Sequence, residues 1–335
     1  MWSQFIQLGD ETTAAGTAIA STVIWRGDGE MISDDREITF VDERTGILTP
    51  TLRSYTAKKL GSLAMAATPA TFEQLPYIFE AGISDETASA DGDGSDYIYN
   101  YVSGYNAVNT LETFTIETGD GEQAEEMAYC FVESFTLSGN AGEAVMVSAN
   151  WLGREPSTTT KTPSLAHQTV EDIFASEGVF AIDAITGTAG TGVTTSTLLS
   201  WTLNVTTGWK PRWTCDSGEV YFAYPYFDRG SFDAKLDVVF EHNATSKAEK
   251  VLWLAETPQI FQIKIVGSDV TTPGTTYSYK TLILEMVGKY EKFESLGETD
   301  GSSTIAATIK CGWDEGDVDR NALNFTVVNE LSALV

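Results

Sequence analysis

Val145-Met146-Val147-Ser148-Ala149-Asn150-Trp151 and Ala307-Thr308-Ile309-Lys310-Cys311-Gly312-Trp313 are two strand-like runs that end on tryptophan, 162 residues apart. The same offset separates Thr45-Gly46, which follows the alternating run Ile38-Thr39-Phe40-Val41, from Thr207-Gly208, which follows Leu199-Ser200-Trp201-Thr202-Leu203. Alternation of apolar and polar residues marks half-buried strands, and one offset at two distant landmarks marks an internal repeat. Alternating runs and glycine turns abound in β-rich chains, so the order of elements between the landmarks decides. Gly61-Ser62 and Gly230-Ser231 each open a strand, and a short helix follows each. Thr71 with Gln74 reads as a capping box and Gly82 as a stop, although Pro76 moves the start toward Gln74; Ser246 with Glu249 and then Thr257-Pro258 play the same parts in the second copy. Thr113–Ile116 and Ile260–Ile263 come next, then a long strand, a glycine turn and the strand ending in tryptophan.

The predicted fold class is therefore mainly β with short helices, a β-sandwich plus one helix per domain, in two tandem copies. The first domain covers 1–153 and includes an N-terminal segment, 1–35. A linker covers 154–168, read from the polar, proline-bearing stretch Pro156–Ser164, and the second domain covers 169–335 with a C-terminal extension after Trp313. A chain of 335 residues is long enough for two such cores.

The 48 acidic against 20 basic residues give a net charge of -28, which argues against gripping phosphates through charge. Acidity can serve solubility, or repel a polyanion passing close by. Cys130, Cys215 and Cys311 are an odd, widely spaced set, expected as buried free thiols. The opening Met1-Trp2-Ser3-Gln4-Phe5 lacks the features of a signal peptide, and no apolar run reaches membrane-spanning length. The expectation is a protein made in a cytoplasm that does not insert into a membrane.

Little here carries chemistry. With two histidines, His167 and His242, a histidine triad or multi-histidine metal site is hard to build. Asp91-Gly92-Asp93-Gly94-Ser95-Asp96 resembles the start of a calcium loop, but Val102 stands at the twelfth position and Asp96 at the sixth, so it reads as a flexible acidic turn, with incidental calcium binding as the alternative. Gly187, Gly190 and Gly192 lack phosphate-cradle spacing, and Glu125-Glu126 is a carboxylate pair of the kind a glycosidase could use. We expect no enzyme, no catalytic residue, no cofactor and no metal.

The loops after the two Thr-Gly landmarks gather scarce positive charge with apolar groups. The candidate contact residues are Leu48, Arg53, Tyr55, Lys58 and Lys59 in the first, and Trp209, Lys210, Arg212 and Trp213 in the second. Head-to-tail stacking of like subunits would use such loops against an acidic face; alternatively they cover their own domain's edge strands. Tyr97–Val102 and Tyr221–Tyr224 also carry few charges to discourage edge pairing.

Phe5–Ala18 and Phe72–Gly82, with the strand, helix, hairpin order of both halves, resemble the major tail tube protein family of long-tailed (siphovirus-type) bacteriophages. The resemblance implies two tail-tube-like domains, with sheets joined between subunits into rings that stack into a virion tail tube. Tandem-domain members form trimeric, pseudo-hexameric rings. It further implies self-assembly in the host cytoplasm, an electronegative lumen through which viral DNA passes without specific binding, and tape-measure, tail terminator and tail-tip proteins as partners. The long N-terminal segment and the residues after Trp313 depart from the repeat. A two-domain β-sandwich ligand- or carbohydrate-binding module, with exposed Trp209 and Trp213 stacking on a sugar, is the alternative. A carboxylate-dependent hydrolase is a third reading.

Overall fold

The computed structural model describes the chain except residues 1–3, 13, 105, 121, 300, 314–321 and 335, so Thr13 of the opening segment and 314–321 of the C-terminal extension lie outside the described residues. The molecule is mainly β with two short α-helices among the described residues. The principal elements are β1 (Phe5–Asp10), β2 (Gly61–Pro69), α1 (Leu75–Gly82), β3 (Tyr97–Val102), β4 (Phe114–Gly119), β5 (Ala124–Asn140), β6 (Met146–Gly153), β7 (Gly178–Ala184), β8 (Leu198–Thr206), β9 (Asp233–Glu241), α2 (Ala244–Leu254), β10 (Gln259–Asp269), β11 (Tyr279–Phe293), β12 (Ser302–Cys311) and β13 (Leu323–Asn329). Every named strand pairing is antiparallel, so neighbouring strands need no long crossover.

Two sets of strands follow one pairing order. In the N-terminal half β1 pairs β4, β4 pairs the start of β5, the end of β5 pairs β6, β6 pairs β2, and the short strand Ser33–Asp34 lies on β2. In the C-terminal half β7, β10, β11, β12, β9 and β8 repeat that sequence of partners. Both long strands change partner beside a register shift in the same place. Val132 faces Trp151 and Ser134 faces Asn150; Tyr290 faces Ile309 and Lys292 faces Thr308. A bulge of this kind bends a strand from one sheet into the next.

The register corrects the landmarks. Trp151 and Ile309 are the corresponding buried residues, opposite Leu63 and Leu236, whereas Trp313 lies beyond β12 and is exposed. Thr45-Gly46 sits in the outer loop of the hairpin Glu37–Phe40/Ser54–Lys58, while Thr207-Gly208 sits at the base of the hairpin Trp209–Arg212/Tyr224–Phe227. Loops of unequal length shifted these words relative to the strands, so the 162-residue offset is not a structural equivalence.

The expected extras are also strands. Val23–Ile24 pairs β1 within the N-terminal segment, as Val193–Thr194 pairs β7. Ser157–Thr159, inside the stretch read as a linker, pairs the free side of β5 as β13 pairs β11. Hydroxyl-bearing residues with strand propensity can complete a ladder without burying an apolar face, which is why polarity read as linker.

Two seams join the halves. β5 pairs β8 from Ser134↔Thr206 to Asn140↔Ser200, and β3 pairs β13 from Asn324↔Val102 to Asn329↔Tyr97. One apolar cluster runs through both halves: Phe79 stacks on Phe325 at 4.5 Å and meets Phe135 and Tyr101 at 5.5 Å. All eight residues of α1 are buried; it starts after Gln74 without a side-chain cap, its proline in the first turn, so the Thr71/Gln74 box does not form. In α2 the reciprocal box joins Asn243 and Ser246, three residues before the predicted one, and Glu249 is instead buried against Gln259 and Tyr290.

Candidate assembly surfaces

The pairings align eight strands edge to edge: Ser33–Asp34, β2, β6, the end of β5, β8, β9, β12 and the end of β11. The first four and the last four are the corresponding sets of the two halves. The seam between them lays the last strand of the first set against the first strand of the second. At the ends, Ser33–Asp34 and the Lys289–Phe293 end of β11 each pair on one side only among the described residues. Sheet edges of this kind present unsatisfied N–H and C=O groups to any matching strand. Away from the core, the middle of this sheet carries Ser134, Thr136, Ser138, Ser148, Asn150, Thr202 and Asn204, without charge. These hydroxyls and amides bind one another, Thr136 to Asn204 and Asn150 to Ser134 at 3.0 Å.

The candidate loop residues divide by hairpin. The first hairpin exposes Ile38, Phe40, Ile47 and Leu52, with Tyr55 more than half exposed and Leu48 wholly so. Its charges are partly spent within the chain. Arg53 pairs Glu43 at 2.7 Å, and Lys59 pairs Glu155 at 2.6 Å. Lys58 lies 5.1 Å over the Trp213 ring, and the Lys59 N–H reaches the Val220 carbonyl at 3.1 Å, so the two loops touch each other. In the second hairpin Trp209 is 6% exposed and clusters with Phe131 and Phe222. The expectation of an exposed Trp209 fails because its indole fills the gap between this hairpin and β5. Trp213 is partly buried on the same cluster and donates from Nε1 to the Val220 carbonyl. Lys210 pairs Asp228 at 2.9 Å, and Arg212 stacks 4.0 Å over Tyr226. Ser231, Lys210 and the Gly230 N–H hold the Asp228 carboxyl down at about 2.

Residues that the sequence did not single out tie these parts together. Arg154 lies between the Tyr129 and Tyr221 rings at 4.5 Å and donates to the carbonyls of Gly16, Phe222 and Ala223. Its position after β6 carries no motif, so only the fold reveals it. Burial pushes the Glu80 carboxyl on α1 up to about 9 although the Tyr101 hydroxyl donates to it at 3.1 Å. Burial, with Asp10 and Asp85 nearby, pushes Glu112 to about 8. In the Asp91–Asp96 turn both terminal aspartates are buried. No helix among the described residues is long and apolar enough to cross a membrane. Compared with known proteins, the chain matches no family model and no curated sequence.

Proposed function

We propose that this chain is a structural subunit of a phage tail tube, a tandem of two equivalent modules that joins copies of itself edge to edge into rings and stacks the rings into a conduit for DNA. One observation carries the reading: the seam between β5 and β8 joins two corresponding sheet halves, and the edges at the sheet's two ends are left with one partner each among the described residues. A second copy offers to the end of β11 what β8 offers to β5. Such a contact is heterologous, so it closes into a ring when the rotation per copy divides a full turn. Two modules per chain make a trimeric, pseudo-hexameric ring the expected closure.

The exposed apolar hairpin around Leu48 supports contact between stacked rings, since contiguous apolar exposure of that kind marks interaction surfaces. The middle of the joined sheet's outer face carries hydroxyls and amides, and the charges flanking it on β9, β11 and β12 pair largely with one another, Lys235 with Glu291 and Lys310 with Asp233, which fits a wall past which DNA slides without adhesion. Net acidity acts in the same direction over longer range. Tape-measure, terminator and tip proteins are the partners this role requires. The burial of Trp209 withdraws one of the two tryptophans on which the alternative sugar-binding reading would stack a ligand.

Native mass spectrometry with electron microscopy of concentrated protein tests the role. Rings of three copies that elongate into hollow tubes are expected; a protein that remains monomeric at millimolar concentration and forms no tube overturns it.

A further inference from the structure

We propose that the turn Asp91–Asp96 and the loop 271–277 together bind a calcium ion. Asp96 is 0% exposed, and no N–H or O–H of another residue donates to its carboxylate oxygens; its side-chain neighbour is the Asp91 carboxylate, a group of like charge. A buried carboxylate without donors or counter-charge costs several kcal/mol, so native proteins neutralise it. The neighbouring charges worsen the case: Asp91 and Glu330 both act on Asp96 with like sign, and burial pushes its carboxyl above the ordinary range. Glu330 is already used, accepting from the Thr271 N–H and the Ser95 hydroxyl at 2.8 Å. Lys280, the cation that acts on Glu330, is bound to Glu73 at 2.6 Å and Glu171 at 3.1 Å.

Asp91 is held differently. The N–H groups of Thr276 and Tyr277 donate to its carboxylate at 2.8 and 2.7 Å, and these bonds keep its pKa below the ordinary value against the effect of burial. Asp91 is therefore held as an anion beside a second carboxylate that has no donor from another residue and no counter-charge. Glycine lets the backbones close in on both groups: a Cβ at Gly94 would meet the Asp96 carboxylate, and one at Gly274 would meet that of Asp91. The two carboxylates supply hard oxygens of the kind that calcium prefers. No third acidic, histidine or cysteine side chain completes a cluster among the described residues, so the remaining ligands are backbone, hydroxyl or water oxygens. Calcium accepts six to eight such ligands in irregular geometry, whereas magnesium demands a regular octahedron. The ion would fasten the turn leading into β3 to the loop between β10 and β11, next to the β3–β13 seam. A single chain would bind it as well as a ring would, so this site stands apart from the tube reading.

The test uses the full-length protein stripped with chelator. Adding calcium chloride is expected to raise the melting temperature by about 5 °C at saturation, with magnesium at equal concentration giving little. Asp96→Asn should abolish that rise while leaving the circular dichroism spectrum unchanged. Terbium emission sensitised by the nearby tyrosines and quenched by calcium supplies a second readout on the unaltered chain, should the variant not fold. A melting temperature indifferent to calcium, with no terbium emission, overturns the proposal.

Discussion

Arg154 shows how much one unmotivated side chain can hold. Its guanidinium bridges Gly16 near the N-terminus to Phe222 and Ala223 in the C-terminal half, between two tyrosine faces. Lysine keeps the charge but loses the planar fork and the stacking. Arg154→Lys should cost about 2–4 kcal/mol in urea unfolding, since hydrogen bonds from charged groups are worth about 1.5–3 kcal/mol each and not all are lost. A loss below 0.5 kcal/mol would show the contacts to be incidental. Glu80 gives a pH signature. Its folded value of about 9 stands above the unfolded 4.5, so the folded state holds the extra proton between them. That stability is complete below pH 4.5 and is lost as pH rises toward 9, at up to about 1.4 kcal/mol per pH unit. Glu80→Gln, which keeps a partner for Tyr101, should flatten the profile between pH 5 and pH 9; an unchanged slope would assign it to other groups.

At the scale of elements, the sequence marked strands and both helices because alternation, proline and glycine act locally. It placed the caps and the tandem register less well. Ser246 and Glu249 match a box by type, but Asn243 reaches the free N–H groups first. Asn243→Ala should therefore destabilise the fold by about 1 kcal/mol, with Glu249→Gln leaving the helix start intact; the reverse ranking would restore the sequence reading. The candidate contact loops were found by charge and aromatic content, and composition cannot tell an exposed ring from a buried one. Leu48 proved exposed and Trp209 buried because one hairpin projects while the other packs on Phe131. Leu48→Asp with Leu52→Asp should leave stability within about 0.5 kcal/mol of the parent, as both side chains are solvated. The same variant should shorten or abolish tubes in electron micrographs while rings persist, and tubes of parental length would remove this hairpin from ring stacking.

For the whole molecule, a mainly β fold with short helices could be read from the chain, but the way the strands lock could not. Seams such as β5–β8 and β3–β13 join residues far apart in sequence, and no local pattern announces which edge meets which. The bulges at Val132 and Tyr290 align the two halves and thereby fix the register expected between copies. Thr136 faces Asn204 across the internal seam. By the pairings of each strand with its neighbours, Glu294 corresponds to Thr136 and Ser33 to Asn204. Glu294 of one copy should therefore face Ser33 of the next. Oxidative cross-linking of a Ser33→Cys, Glu294→Cys variant, with exposed Cys215 replaced by serine, measures this directly. A ladder of covalent oligomers ending at a closed ring is the expected result, absent when either new cysteine is alone. Efficient tube formation with no cross-link between these positions would contradict the edge-to-edge joining on which the proposed role rests.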